Sequence, residues 1–271
     1  MMNPKCSLII SVYKNTRFLK AVLDSLAYQT EQAFEILVSE GGESEEMRRF
    51  VERYPFRQPW RHLTQKDEGW RKNQALNRAV MEASTDHLVF IDGDCLLHPR
   101  FIEMHVRYFS PGQILAGKRV MLSQRLSEQL IENPRRVTRM QRHMLLALVC
   151  HQGTERAEEG VFISPDGPLG FIPRMRKLNY LTGCNMSFSR EAIMAINGFD
   201  EDYQLPAYGE DTDLVWRFQM AGYAFTSLRN LAVEYHLWHP KGWSSQEENQ
   251  RMGAEKQQQG LFRCRNGIEK R

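Results

Sequence analysis

Asp92-Gly93-Asp94 sets two carboxylates one residue apart, directly after the apolar run His87-Leu88-Val89-Phe90-Ile91. That run has the length, flanks and β-branched content of a buried strand, so the acids fall where a strand leaves its sheet. In an open α/β sheet, ligands bind at the carboxyl ends of the strands. A hard divalent cation takes carboxylate oxygens and keeps open positions for phosphate, which a short acidic pair at a strand exit can offer. The triplet fits an Asp-Gly turn with solvated acids as well, so its neighbours decide. A second strand ends in Glu40-Gly41-Gly42-Glu43, and a third leads to Asp67-Glu68-Gly69-Trp70-Arg71. Arginine suits bidentate phosphate recognition because its planar fork matches two oxygens. Each group alone reads as a surface residue; their agreement on one sheet edge makes a site.

The elements that must position these groups alternate. Ser7 to Val12 reads as a strand, Thr16 to Gln29 as a helix with Phe18, Leu19, Val22, Leu23 and Leu26 on one face, Phe34 to Ser39 as a strand and Ser44 to Arg53 as a helix. A short strand at Arg61 to Thr64 precedes a helix over Arg71 to Ala83, and the fourth strand ends at Asp92. Such alternation predicts an α/β fold with a mainly parallel sheet flanked by helices. Further on, Phe101 to Phe109 reads as a helix and Ile114 to Leu122 as a strand. Arg125 to Leu148 reads as a helix broken at Pro134. Gln152 to Lys177 holds seven Gly and Pro residues with little periodicity, the mark of a long loop that covers or binds substrate. Helices are expected at Arg190 to Ile196 and Asp211 to Ala221, and an apolar strand at Leu231-Ala232-Val233. Residues 1–243 read as one domain, with a first half at 1–122 and a second half at 123–243 that carries the loop 152–178. A helical tail at 244–271 is expected to fray.

The 271 residues are 42% hydrophobic, which suits a globular core, and the net charge of +3 is too mild to argue for nucleic acid. Five scattered cysteines without a C-x-x-C spacing fit a reducing compartment. No window reaches about 18 apolar residues, so a cytoplasmic location is expected. Arg135, Arg136, Arg139 and Arg142, beside the apolar patch Met144 to Val149, admit three uses: an anionic glycan, an acidic membrane surface such as the inner membrane face, or a solvated face.

The motifs taken in order resemble the family 2 inverting glycosyltransferases, whose nucleotide-sugar-binding fold is called GT-A (Rossmann-like). The matching stretches are Ser7 to Tyr13, Glu35 to Gly42, Gln65 to Arg71 with Asn77, and Phe90 to Asp94. A later block, Thr182-Gly183-Cys184-Asn185-Met186-Ser187, Gly198-Phe199-Asp200-Glu201 and Tyr208 to Leu214, is similar to members with a galactosyltransferase-type C-terminal segment, such as chondroitin polymerase domains. The resemblance runs from about Ser7 to Pro240. It implies that Asp94 ligates Mn²⁺ or Mg²⁺ and that Asp92 meets the ribose or the metal's water shell. Glu40 would accept from the nucleobase, Asp67 would complete the base pocket, Arg71 would meet a phosphate or the donor sugar, and Asn77 belongs to the same donor-binding set. Asp211 would be the catalytic base, with Glu210 holding an acceptor or donor hydroxyl. His236 would close the metal shell, with His239 the weaker choice, and Gly183, Asn185 and Trp238 would bind the acceptor. Two departures stand out: strand two ends in Glu40-Gly41 rather than paired aspartates, and Tyr13-Lys14-Asn15 carries an extra residue.

Chemistry supports the same assignment. Breaking a sugar–phosphate bond puts charge on the departing diphosphate, which a cation and an arginine stabilise in a dry cleft. An acceptor hydroxyl loses its proton as it attacks, so one carboxylate within reach serves as base. A glutamate and an aspartate at 210 and 211 also fit a helix's first turn for dipole reasons alone. His236 and His239 fit nitrogen ligands of a mixed site or core histidines, and Trp238, Trp243 and Tyr208 fit a sugar-stacking face or plain packing. The expected reaction is transfer of a sugar from a nucleotide diphosphate, UDP first, to a hydroxyl of a glycan or glycolipid. Its competitors are a sugar-phosphate nucleotidyltransferase, against which the glycine-free turn Ser11 to Asn15 argues, and a non-catalytic carbohydrate-binding protein on the same fold.

Overall fold

A computed structural model gives the fold for residues 3–150, 154–206, 208–240 and 245–270, with main chain alone at 149 and 150. The chain begins β1 (Cys6–Val12), α1 (Thr16–Leu26), β2 (Phe34–Glu40), α2 (Glu45–Arg53), β3 (Trp60–Leu63), α3 (Lys72–Glu82), β4 (His87–Asp92). It continues with β5 (Cys95–Leu97), α4 (Phe101–Tyr108), β6 (Gln113–Ala116), β7 (Arg119–Met121), α5 (Gln124–Glu132), a 3-10 segment at Pro134–Arg139 and α6 (Met140–Cys150). The last part holds α7 (Phe171–Met175), β8 (Met186–Ser189), α8 (Arg190–Ala195), α9 (Asp211–Met220), β9 (Ala224–Ser227), β10 (Glu234–His236) and α10 (Glu247–Gln258).

A seven-stranded sheet has the order β3-β2-β1-β4-β8-β6-β9, in which β8 alone runs against its neighbours. β1, β2 and β4 read as nearly unbroken apolar runs because both faces are covered. Leu8 and Ile10 of β1 face a core with Leu19 and Val22 of α1. Ile9 and Leu37 face a second core with Leu76, Ala79, Phe188, Phe199 and Phe218. Phe90 binds that second core together, its ring 4.9 Å from Phe188 and 5.6 Å from Phe199; truncating it to alanine would cost about 3–5 kcal/mol. Side-chain caps start several helices: Asn15 accepts from Phe18 N, Ser44 from Met47 N and Ser123 from Leu126 N.

Register sets the edge that matters. Ser11 pairs with Asp92 and Val12 with Glu40, so β1, β2 and β4 end level. A second sheet, β5-β10-β7, lies just beyond that edge. The strand predicted at Ile114 to Leu122 is split at Gly117-Lys118 into β6 and β7, one in each sheet. The last strand lies at Glu234–His236 rather than at Leu231-Ala232-Val233, which are buried just before it.

Two expectations change. The described part of the long loop is pinned rather than free, because buried polar side chains meet its needs. Glu159 is buried and accepts from Arg176 at 3.0 Å and from Arg229 Nε at 3.1 Å, while Asn230 donates to Glu158 O and Val161 O. Nor does the tail stand off the domain. Lys256 of α10 reaches Asp200 at 2.5 Å and Asp202 at 2.6 Å, Asn249 donates to Leu205 O and Tyr208 O, and Asn197 donates to Cys264 O and Glu269 O.

Candidate active site

The carboxyl end of β4 supplies the first pair of groups. Gly93 separates the two aspartates because a Cβ there would stand 3.1 Å from Val12 Cβ, so the turn lies tight on the end of β1. Asp94 then leads into β5, where Cys95 pairs with His236 of β10, and Leu237 N donates to Asp94 O at 2.9 Å. That register brings His236 Nε2 to 3.5 Å from Asp94 Oδ2, and His239 Nε2 lies 3.3 Å from the same oxygen. Although burial opposes it, the two imidazoles hold the Asp94 carboxyl down to about 2. Burial lowers His236, whereas the hydrogen bond with Asp94 raises His239.

Asp94, Cys95 and His236 bring their ligand atoms within 4.8 Å of one another, and His239 faces the same Asp94 oxygen from the rim. The mixed oxygen and nitrogen donors suit a Mn²⁺-type ion. His236 also leaves Nδ1 buried with no hydrogen-bond partner, so the ring's capacity is not spent inside the protein. Asp94 and His236 thus fit donors to a resident cation, with His239 beside them.

The second pair of groups starts α9. Asp211 Oδ2 accepts from Gly183 N at 2.9 Å and Oδ1 from Thr212 N at 2.7 Å. Gly183 is needed there, since a Cβ would come 2.5 Å from Glu210 Oε1. Burial raises the Asp211 carboxyl even though both backbone donors pull it down. Behind it, Asp213 and the fully buried Arg217 pair at 2.8 Å, and Arg217 donates to Gly198 O and Phe262 O, so the helix carrying Asp211 is fixed to its surroundings.

Lys72, the first residue of α3, joins the two pairs. Its Nζ lies 2.7 Å from Asp92 Oδ1 and 2.6 Å from Glu210 Oε1. The neighbouring Asn73 donates to Asp200 O and Gly209 O, which fastens the start of α3 to the segment before α9. Burial first, then the charges of Asp92 and Asp211, push the Glu210 carboxyl up to about 7 against the pull of Lys72. The two carboxylates raise Lys72 although burial works against its charge.

Beneath the metal-ligand set lies a buried cluster. Cys184 Sγ is 2.8 Å from Glu234 Oε1, Arg119 Nη1 donates to Cys184 Sγ at 3.4 Å, and Cys95 Sγ donates to Asp94 Oδ1 at 3.4 Å. Burial drives Glu234 and Cys95 well above their ordinary values. Burial would raise Cys184 too, but Cys95 and the Arg119 guanidinium pull it down.

Of the predicted residues, Asp92, Asp94, Gly183, Glu210, Asp211 and His236 are thus brought together, and His239 with them. Asp67 stands nearby over the exit of β1, accepting from Tyr13 OH at 3.1 Å and paired with Lys14 at 2.7 Å. Trp238 is 42% exposed, with its N–H donated to Ser127 Oγ of α5 at 2.8 Å. Arg71 caps α3 and borders a depression of about 200 Å³ with Glu68, Asn73 and Tyr203; Lys72 is the cation at Asp92.

Three predicted contacts are turned inward. Glu40 is fully buried, with one oxygen accepting from Ser44 N at 2.9 Å and the other 2.9 Å from His62 Nε2. Asn77 exchanges hydrogen bonds with Phe199 N and O and donates to Glu201, tying α3 to that turn. Asn185 donates to Lys118 O and Ala232 O and accepts from His105, so it joins the β6–β7 corner, the stretch before β10 and α4 where a ligand contact was expected. Each side chain's polar atoms are spent on the fold. Tyr208 packs its ring against Tyr203, at 6.1 Å between centroids, and Trp243 lies outside the described residues. Lys72 and Arg119 were missed. Arg71-Lys72 offers two adjacent cations without a signal for which one turns to the acids, and residue 119 lies far from every other site group in sequence.

The family described as "Glycosyl transferase family 2" matches residues 7–196, and the one described as "N-terminal domain of galactosyltransferase" matches residues 173–240. A validoxylamine A glucosyltransferase of Streptomyces hygroscopicus subsp. jinggangensis is 31% identical over 102 residues, 37% of this chain and 24% of the relative. That of subsp. limoneus is 31% identical over the same length, 22% of the relative. The chain therefore spans about a quarter of the length of these curated relatives. Among solved structures, the mannosyltransferase PcManGT from Pyrobaculum calidifontis, in complex with GDP-Man and Mn²⁺, superposes with a TM-score of 0.55 at 17% identity, covering 90% of this chain and 59% of that one. S. aureus TarS 1-349 in complex with UDP-GlcNAc gives 0.60 at 15% identity, covering 94% and 66%. At such identities the likeness is one of fold.

Proposed function

This chain belongs to glycosyl transferase family 2, and from that premise we propose that it moves a sugar, with inversion, from a nucleotide diphosphate to a hydroxyl of a glycan or glycolipid. Its fold is the mainly parallel α/β architecture of the GT-A glycosyltransferases. One observation carries the reading: Lys72 bridges Asp92 and Glu210, so the end of β4 and the start of α9 are brought side by side.

In the proposed reaction, Asp211 accepts the proton of the attacking hydroxyl as its oxygen bonds to the anomeric carbon. The bond from that carbon to the diphosphate oxygen breaks, and its electron pair leaves with the nucleotide diphosphate. The backbone donors from Gly183 and Thr212 aim the Asp211 carboxylate, and burial raises its basicity. Glu210 lies beside it to hold a hydroxyl of acceptor or donor sugar. Asp92 would meet the ribose, and Asp67, beside Tyr13, would border the base. Mn²⁺ or Mg²⁺, held by Asp94, His236 and His239, would supply charge to stabilise the leaving diphosphate. Lys72, already near that charge, adds a point cation. UDP is the nucleotide of choice: TarS was solved with UDP-GlcNAc, although PcManGT holds GDP-Man. Trp238 offers an exposed aromatic face for the acceptor.

A thermal-shift titration tests this directly. UDP with Mn²⁺ should raise the melting temperature, because a ligand that binds only the folded state stabilises it by mass action. Asp94→Ala should abolish the increment. An increment that survives in that variant removes Asp94 from the metal site, and with it this mechanism.

A further inference from the structure

We propose that the outer face of the 3-10 segment and α6 docks on a membrane surface rich in anionic phospholipid. Val137, Met140, Met144 and Ala147 turn inward and join the core. Arg135, Arg136, Arg139 and Arg142 turn outward and are exposed. Among the described residues none of these four has a carboxylate within ion-pair distance; single arginines such as Arg53 and Arg174 share that state elsewhere, but here four stand together on one short segment, unlike the paired Arg48, Arg107 and Arg263. The first three line, with Asn133, an open depression of about 330 Å³. One to two turns beyond the arginines, the same helix presents Leu145, Leu146 and Leu148, which are 48%, 59% and 43% exposed.

Unneutralised guanidinium groups followed by exposed leucines match the order of chemistry in a lipid leaflet. Phosphates take the planar forks, and the acyl edge takes the apolar side chains. A soluble anionic glycan would leave the leucines unexplained. A second copy of the chain, docked face to face about a two-fold axis, would bring eight arginines together without a counter-charge, which is repulsive. The surface also adjoins the cleft: α5, packed between this segment and the site, accepts the N–H of Trp238 through Ser127. A lipid-linked acceptor held at the membrane would therefore meet the cleft on its Trp238 side. The docking itself does not depend on the catalytic reading.

Flotation with vesicles of stated composition tests it on the full chain. Binding is expected to vesicles of phosphatidylcholine with about one-third phosphatidylglycerol, to fall steeply at about 0.5 M salt, and to be absent with phosphatidylcholine alone. Each arginine exchanged for glutamine should weaken partition by about fivefold, so Arg135→Gln/Arg136→Gln/Arg139→Gln/Arg142→Gln should stay in solution, while the four arginine-to-lysine exchanges keep most of the binding. Leu145→Gln/Leu146→Gln/Leu148→Gln should also lose binding, with an unchanged circular-dichroism melt showing that it folds. Asp94→Ala should float like the wild type, which separates this outcome from any failure of the metal reading. The proposal is overturned if the wild type ignores anionic vesicles or if the glutamine quadruple variant floats equally. It is also overturned if the leucine variant binds undiminished, which would indicate a soluble polyanion site. Sedimentation showing a dimer that the leucine exchanges dissolve would assign the face to a second copy instead.

Discussion

Replacing Lys72 with methionine removes a cation and keeps its stem, and the consequence depends on pH. Lys72 sits 2.7 Å from Asp92 and 2.6 Å from Glu210, with side chains only 14% exposed at Lys72 and Glu210. Taking one partner from a buried pair costs about 3–5 kcal/mol, because a desolvated charge is left behind. For 271 residues, an unfolding entropy of roughly 2.1 cal/mol/K per residue gives roughly 0.6 kcal/mol/K, so the loss corresponds to about 5–9 °C in melting temperature. That full loss applies only where Glu210 is ionised in wild type and variant alike, well above its folded value of about 7, since the variant's carboxyl takes up a proton more readily.

At about pH 5.5 the Glu210 carboxyl holds its proton in the fold, only the Asp92 pair remains to be lost, and roughly half the drop is expected. The sign follows from the direction of the shift. A carboxyl raised from 4.5 to about 7 contributes stability that is complete below 4.5 and fades as pH rises through about 7, a swing of about 3 kcal/mol. Without Lys72 the carboxyl rises further, so that fading moves to higher pH in Lys72→Met. Melting curves from about pH 5.5 to 8.5, recorded without nucleotide, measure both effects. An equal drop at both ends of that range, or none at all, would refute the coupling of Lys72 to Glu210.

Asp211→Asn should leave the UDP and Mn²⁺ thermal increment intact and lower the transfer rate by about 10²–10⁴-fold, read by nucleotide release with acceptor present; equal loss of both would move the base elsewhere. Asn77→Ala should lower stability by about 2–3 kcal/mol by orphaning Phe199 N and O without changing UDP affinity, since its amide is spent inside the fold; a selective loss of affinity in calorimetry would return it to the donor site. The hydrogen bond with Asp94 raises His239 above its ordinary 6.5, so its proton competes with a cation at higher pH than a free histidine's would. Mn²⁺ affinity, measured by calorimetry, should therefore already be falling as pH drops toward 6.5; affinity that stays level until well below that value would exclude His239 from the ligand set. The same raised value makes this pair's stability fullest below 6.5 and progressively lost above the folded value.

The half of the fold that sequence reveals best is the half built from local patterns. β1, β2 and β4 are buried on both faces, so their apolar runs stand out, and the helices between them carry one-sided periodicity, with side-chain caps on α1 and α2. Strand exits follow from strand ends, which is why Asp92, Asp94 and Asp67 could be assigned to one edge. β5, β7 and β10 are three residues each, too short to show a period, and only their mutual register places His236 against Asp94. The inward turn of Glu40, Asn77 and Asn185 is equally hidden, because a polar side chain carries the same letter whether it greets a ligand or satisfies a buried backbone group.

That distinction changes how the cleft works. Asn73, Asn77 and Asn185 are a framework of amides that each reach two backbone groups of another segment. Between them they lock α3 to residues 199–201 and Gly209, and the approach to β8 to both the β6–β7 corner and the stretch before β10. The acids are held to a fixed separation by these neutral supports, and Lys72 spans the gap as a removable charge. A donor diphosphate would satisfy the Lys72 ammonium in place of Asp92 or Glu210, releasing one carboxylate at the moment the cleft fills. Binding energy from the phosphates would in that way be spent on freeing Glu210 for a hydroxyl, which is why loss of Lys72 should disturb proton binding at Glu210 in the empty protein before any substrate is added.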